Sequence, residues 1–282
     1  MPIDLDAYRE QSRANWGEMA SGWEERRSWF LANTGIVIDW LVERAAPHPG
    51  QTFLELACGP GDLGLAIAEQ LGDGGRLIAT DFAPEMLDVA RRAAEARGLV
   101  NVEFRVVDAE HVDLDDDSVD GVVCRWGFML MADPAAAIAE ARRVLRDGGP
   151  LAFSVWSGPE RNPWAALPAT TLVQRGHAPP PEPGLPGIFA LADPDRIRAL
   201  VAAAGFDDPR LDELVFDFRY ADADALWETL LRLAGPLARA IDELDADERR
   251  ATRAAIEQSL EPYRQDDGSY RVPAMTWAVV AR

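Results

Sequence analysis

The residues best suited to chemistry lie in one stretch, Glu55-Leu56-Ala57-Cys58-Gly59-Pro60-Gly61-Asp62. The β-like run Thr52–Ala57 leads straight into a glycine-rich turn and then into a helix-like segment, Asp62–Leu71. Gly59 and Gly61 permit a tight turn with dihedrals that other residues avoid, and they let a ligand approach bare backbone. The helix that follows points its positive end at that ligand, which suits a carboxylate or a phosphate. Twenty residues past Gly61, at the end of the β-like run Arg76–Asp81, Asp81 can accept hydrogen bonds from both hydroxyls of a ribose. Its alternative use is as a cap for the helix that starts at Pro84. A third run, Val102–Asp108, ends on Asp108-Ala109-Glu110. A carboxylate there can accept from an adenine amine, while the Ala109 amide donates to a ring nitrogen.

These positions predict a ligand built on adenosine. Glycines 59, 61 and 64 match Gly-x-Gly-x-x-Gly literally, so the glycine pattern by itself also admits NAD. Glu55, four residues before Gly59, together with Asp108 and the sequence of the next β-like run, tips the reading to S-adenosylmethionine.

The elements that must position these residues alternate. Further β-like runs are Val119–Arg125 and Pro150–Trp156, and helix-like stretches cover Pro84–Arg97 and Pro134–Arg146. Such alternation predicts an α/β fold with a mostly parallel, doubly wound sheet. Asp133-Pro134 opens the last of these helices as N-cap and N1, and Gly148-Gly149 closes it. Gly158–Gly187 is rich in proline and reads as an ordered loop or a lid connection. Beyond it come a helix, Asp193–Ala204, a strand, Leu211–Tyr220, a long helical region, Ala223–Tyr263, and a last strand, Met275–Ala281. The first fifty residues also read as helical and hold Trp16, Trp23, Trp29 and Trp40.

Composition removes several function classes. The 28 basic residues are all arginine, so chemistry that needs an amine is excluded: Schiff bases, a P-loop lysine, a Tyr-x-x-x-Lys dyad. A formal charge of -20 disfavours a nucleic-acid partner and anionic lipid headgroups. Cys58 and Cys124 form neither a metal-ligand pair nor a disulfide framework, so no metal is expected. The acidic start, Met1–Glu10, carries no signal-like apolar stretch, and no run reaches membrane-spanning length, so a cytoplasmic protein without membrane insertion is expected.

Glu55-Leu56-Ala57-Cys58-Gly59-Pro60-Gly61, Thr80-Asp81-Phe82-Ala83-Pro84-Glu85-Met86-Leu87, Val107-Asp108-Ala109-Glu110 and Val119–Arg125 resemble successive motifs of class I S-adenosylmethionine-dependent methyltransferases. Arg143–Gly149 continues the series, and the flavour is that of the ubiquinone/menaquinone-biosynthesis-like branch. The resemblance covers about Thr52–Trp156, continues through Asp193–Phe206, and weakens across Gly158–Gly187 and the late helical region. It implies a Rossmann-like, seven-stranded sheet in a core formed by residues 51–222 and 264–282. N-terminal helices (1–50) and a helical insert (223–263) would cap that core. It also implies that Glu55, Ala57, Gly59, Pro60 and Gly61 line the methionine end of the cofactor. Asp81 would bind the ribose, and Phe82 and Met86 would pack near the adenine. Asp108, Ala109 and Glu110 would contact the base, and Arg125 would sit beside the sulfonium. Ala57 stands where the motif usually has glycine, and Ala83 where serine is common; both contacts are made mainly by backbone.

The resemblance implies methylation of a small-molecule acceptor, with a cofactor-binding relative of changed chemistry (sensor, cyclase or isomerase) as the alternative. An apolar or aromatic acceptor would meet Trp126 and Met129 after the fourth strand, and Trp16 and Trp23 from a lid; for each of these the other use is ordinary packing. His48, His111 and His177 recommend no general base. The alternating acids and arginines of Asp242–Arg253 would suit a homodimer surface as well as a lid.

Overall fold

The computed structural model describes residues 4–182, 184–207 and 209–282. Seven strands form a single sheet: β1 (Thr52–Glu55), β2 (Arg76–Asp81), β3 (Val102–Val106), β4 (Gly121–Arg125), β5 (Leu151–Trp156), β6 (Arg210–Tyr220) and β7 (Tyr270–Ala281). Their order is β3-β2-β1-β4-β5-β7-β6. β3 through β5 run parallel, and β7 lies antiparallel to both neighbours. The central strands are buried on both faces, which is why Phe53-Leu54 in β1 and Leu151-Ala152-Phe153 in β5 are apolar at successive positions. The strand order reverses at β1 and β4, so the crevice outside their carboxyl ends is where a ligand belongs.

Helices α2 (Asp62–Leu71), α3 (Pro84–Ala96) and α4 (Pro134–Val144) fill the crossovers. Asp133 caps α4 by accepting from the amides of Ala135 and Ala136, and Pro134 occupies N1, as its sequence predicts. The N-terminal segment forms one helix rather than several: α1 (Leu5–Ala45) has 41 residues, capped by Asp4 and stopped at Ala46 in the left-handed conformation. At 1.5 Å per residue it is about 60 Å long, longer than the strands it crosses. Its second half buries Phe30, Val37, Ile38, Leu41 and Val42 in the main core, whereas its first half buries only Ser12, Ala20 and Gly22.

Three boundaries differ from the sequence reading. The proline-rich Gly158–Gly187 contains a helix, α5 (Pro163–Gln174), because Pro163 sits at N1 where a missing N–H costs nothing. After α6 (Pro194–Ala203), the long helical region is divided into α7 (Ala223–Leu233), α8 (Gly235–Asp242) and α9 (Ala246–Leu260). Gly235-Pro236 opens α8 and Asp245 caps α9. The last strand starts at Tyr270, five residues before the expected Met275, and contains Pro273. β5 flanks β7 only from Thr276 onward, so proline at 273 breaks no bond on that side.

Gly121 opens β4 beside Phe53 of β1, and a Cβ there would be driven into the Phe53 ring. Gly121→Ala is expected to lower stability by about 1–3 kcal/mol through overpacking, read from urea unfolding. Adding Phe53→Leu should return part of that loss, because the two sites share one contact.

Candidate active site

The turn after β1 is held from both sides. The Leu56 amide donates to the Val123 carbonyl (2.9 Å) and the Cys58 amide to the Thr80 carbonyl (2.8 Å). Ala57, Gly59 and Gly61 all have positive φ, at 50°, 51° and 82°. A Cβ on Gly59 would meet nothing within 4 Å, so bare backbone there faces open space; one on Gly61 would press on Ala90 of α3 at 2.9 Å. Pro60 is buried between them. Asp81 ties this turn to the end of β2: one carboxylate oxygen accepts from the Gly59 amide and the other from the Ala83 amide, each at 2.9 Å. Each oxygen keeps a lone pair for another donor. Burial pushes the Asp81 carboxyl up to about 6 against these amide bonds.

A charged cluster lies beside the turn. Asp62, the first residue of α2, is buried and accepts from Arg27 Nε of α1 (2.6 Å). Arg125 at the end of β4 and Arg97 approach the same carboxylate at 3.6 and 3.7 Å. The Arg125 side chain is only 8% exposed, and its Nη1 has no partner. Its guanidinium lies over the rings of Trp126 (5.0 Å) and Phe30 (5.6 Å). Burial pushes its pKa down, against the pull of Asp62 and Glu55. Glu55 is also buried; burial raises its carboxyl to about 8 despite Arg125, and its Oε2 has no partner. Trp23 Nε1 is a third buried orphan, on a ring packed edge-on against Phe30 at 4.9 Å. Unpartnered donors and acceptors beside an open glycine backbone fit a ligand with a charged, amino-acid-like end.

The other expected residues fall into two groups. Phe82 and Met86 join Ala83 and Val89 in a small apolar cluster with Trp16 and Trp23 of α1. Asp108 accepts from the Glu110 amide (3.0 Å), and Ala109 is buried beside it. The Glu110 carboxylate is already engaged: Arg9 of α1 donates to one oxygen (3.1 and 2.5 Å) and the Asp133 amide to the other (3.0 Å). Glu110 therefore fastens α1, where the resemblance implied a contact to the base. Tyr8 adds a hydroxyl bond to the Leu130 carbonyl (2.8 Å). Through Arg9, Trp16, Trp23 and Arg27, α1 passes over the ends of β3, β2 and β1 in turn.

After β4, Trp126 adopts φ 57°, donates to Thr276 Oγ1 (2.9 Å) and stacks on Trp156 at 4.4 Å. The stack continues through Trp164 to Phe218 (4.9 and 4.8 Å), and Trp29 closes on Phe218 and Tyr220 (5.4 and 5.1 Å). Of this aromatic wall the sequence reading named only Trp126. Phe216, Phe218 and Tyr220 share one face of β6 by their spacing of two, a signal present in the sequence; nothing local announced Trp29, Trp156 or Trp164. Met129, expected at the acceptor, is instead 2% exposed, with its sulfur against the Trp156 amide (3.4 Å). Its place in the middle of a short 3-10 turn (Phe128–Leu130) turns it into the core. His48 and His111 are exposed, and His177 bonds Glu248 on α9 (2.7 Å). Cys58 and Cys124 are buried free thiols. Among the described residues no cluster could hold a metal, and no helix is long and apolar enough to cross a membrane.

A sheet in this order, with a glycine turn after β1 and an acid ending β2, defines a class I S-adenosylmethionine-binding fold. Residues 53–149 match the family model described as a methyltransferase domain. The demethylmenaquinone methyltransferase of Thermus thermophilus is 34% identical over 194 residues, covering 62% of this chain and 84% of that one. The ubiquinone/menaquinone biosynthesis C-methyltransferase UbiE of Shewanella halifaxensis is 34% identical over 122 residues, covering 43% and 49%. The crystal structure of the [4+2]-cyclase SpnF shares the fold, with a TM-score of 0.52 and 21% identity over 87% of this chain and 79% of that one. The chain belongs to the class I S-adenosylmethionine-dependent methyltransferases, in the ubiquinone/menaquinone-like branch.

Glu55 generates a pH prediction. In the ligand-free fold it keeps its proton to about 8, against an ordinary 4.5 when unfolded. The folded state then binds more protons across that window, so stability falls as pH rises through it. Asp81 adds a smaller fall between 3.8 and about 6. Glu55→Gln should remove the larger fall and make the free protein more stable than wild type by roughly 2 kcal/mol near pH 9. Urea unfolding at several pH values checks this; parallel profiles for the two proteins contradict it.

Proposed function

We propose that this methyltransferase acts on a small apolar, aromatic acceptor bound at the carboxyl end of β4, where the buried aromatic cluster from Trp126 to Phe218 forms the floor. The observation that carries the reading is that this wall begins on the residue next to Arg125, at the carboxyl end of β4. Glu55, Ala57 and the Gly59–Gly61 turn would hold the amino-acid end of S-adenosylmethionine, and Asp81 its ribose. Asp108 and the Ala109 amide would meet the base, with Phe82, Met86, Trp16 and Trp23 packing around it. The bound cofactor supplies a methyl group already activated on a sulfonium sulfur. The chain's own task is to bring the acceptor into line and keep water out, so proximity and desolvation carry most of the work. The Thermus and Shewanella relatives are named for quinone biosynthesis, which fits a flat ring as acceptor.

We infer further that residues 1–50 and 223–263 cap a core formed by 51–222 and 264–282. The first half of α1 is held mainly by polar contacts: Arg9 to Glu110, Arg26 to Glu228, Glu18 to Arg239 and Glu24 to Arg92. Helix ends fastened by exposed ion pairs open at low cost, as a lid must. A cytoplasmic enzyme fits the free cysteines. A homodimer formed through the charged face of α9 is the competing use of the insert.

Formation of S-adenosylhomocysteine against a panel of naphthols, hydroxyquinones and aliphatic acceptors tests the acceptor class. Turnover with the ring compounds is expected; turnover only with aliphatic acceptors contradicts the aromatic reading, and none with any acceptor favours changed chemistry. Asp81→Ala should weaken S-adenosylmethionine binding by about 1.5–3 kcal/mol in calorimetry. S-adenosylhomocysteine should also protect the first thirty or so residues from limited proteolysis, whereas identical cleavage with and without it rules out the cap.

A further inference from the structure

Arg125 has a donor that no contact within the protein uses. Its guanidinium is almost wholly buried, yet Nη1 meets no acceptor and Nη2 lies 3.6 Å from Asp62, beyond hydrogen-bond reach. Leaving a buried charged donor unmade is costly, and a packed apolar side chain would be cheaper. The charges that face it are Asp62, Glu55 and Arg27, with Arg97 behind Asp62. Asp62 is already satisfied by Arg27 Nε at 2.6 Å. Glu55, which keeps its proton up to about 8, adds no negative charge at neutral pH. Asp62 therefore leaves the Arg125 guanidinium without a hydrogen-bonded counter-ion.

The place also matters. Arg125 lies over Trp126 and Phe30, and Trp126 begins the aromatic wall. It therefore stands between the glycine turn with its Asp62 helix and the surface proposed for the acceptor. No histidine reaches this region and there is no lysine in the chain; of the nearby carboxyl groups, Asp62 is tied to Arg27 and Asp81 to two backbone amides.

We propose that Arg125 binds the ionised oxygen of a phenolic or enolic acceptor. The inference rests on the aromatic acceptor proposed above. The hydroxyl proton is released to solvent as the acceptor binds, and the oxyanion accepts a charge-assisted hydrogen bond from Nη1. The buried cation lowers the acceptor's own pKa, as an opposite charge at close range does. A general base is then unnecessary: the acceptor enters the reaction as an anion, able to attack through oxygen or through a ring carbon made electron-rich by that oxygen.

The test uses the enzyme saturated with S-adenosylhomocysteine and two probes, 4-nitro-1-naphthol, whose ionised form is coloured, and 1-nitronaphthalene, which cannot ionise. Wild type is expected to bind the naphthol as its anion and to lower its apparent pKa by about one unit or more. Arg125→Gln should bind the naphtholate at least ~10-fold more weakly, return the pKa towards that of the free probe, and leave 1-nitronaphthalene affinity unchanged. Asp62 keeps Arg27 in that variant, so the fold is expected to persist. Should it fail in circular dichroism, Arg125→Lys, which keeps the charge and loses the fork, replaces it, with an intermediate shift expected. Equal naphtholate binding and equal pKa in wild type and variant overturns the proposal. So does a variant that no longer distinguishes S-adenosylhomocysteine from methylthioadenosine, because Arg125 would then serve the cofactor's carboxylate. If neither probe binds wild type although S-adenosylhomocysteine does, the aromatic acceptor falls, and the anion site with it. If 1-nitronaphthalene binds and the naphtholate is not preferred, only the anion site falls.

Discussion

Two backbone amides, from Gly59 and Ala83, converge on the carboxylate of Asp81, and the carboxyl edge of the sheet is organised around that convergence. The bonds join the turn after β1 to the turn after β2, fixing the mouth of the crevice before any ligand arrives. The left-handed backbone at 59 favours glycine, and the open space beside it is left free for a ligand. The bonds also set the entry of the chain into α2, and so the place of Asp62, on which Arg27 and Arg125 gather. An acid buried at this point is costly by itself; the amide bonds compensate for the water it has lost.

The long helix α1 is bound to this mouth by charge more than by apolar surface. Its first half faces acidic partners on several elements, and every cation that meets them is arginine. The guanidinium fork suits such contacts, because it can hold one carboxylate through two donors while stacking on a ring. Arg9 shows the first behaviour on Glu110 and Arg125 the second on Trp126. The apolar second half of the same helix is part of the main core, so one element is an anchor at one end and a removable cover at the other.

The aromatic wall comes from five separate parts of the chain: α1, the exit of β4, the exit of β5, the start of α5, and β6. Family likeness is strongest over residues 53–149, which contain only the β4 contribution. The cofactor machinery thus lies mostly inside the matched segment and the acceptor wall mostly outside it. Shared donor chemistry with different acceptors is the expected outcome of that division.

Strand, glycine turn, helix and terminal acid were legible in the sequence because each is a local event. A short apolar run bounded by turn residues marks a buried strand, positive φ favours glycine, and proline after aspartate starts a helix, all within a few residues. The seven-stranded, mostly parallel sheet followed from the resemblance of motifs in succession. What the sequence could not show is which distant segments meet. Arg9 finds Glu110 across 101 residues, and Trp29 finds the Arg219 carbonyl across 190. The full length of β7 was hidden by Pro273, whose harmlessness depends on where the neighbouring β5 stops. Met129 and Trp126 stand three residues apart and both enter the main core, and only the turn at Phe128–Leu130 decides that Met129 meets the Trp156 amide while Trp126 stacks on its ring. Local conformation follows from the backbone and side-chain preferences of neighbours, but a buried charge or ring finds its partner only when the packed sheet brings remote surfaces together and excludes water from between them.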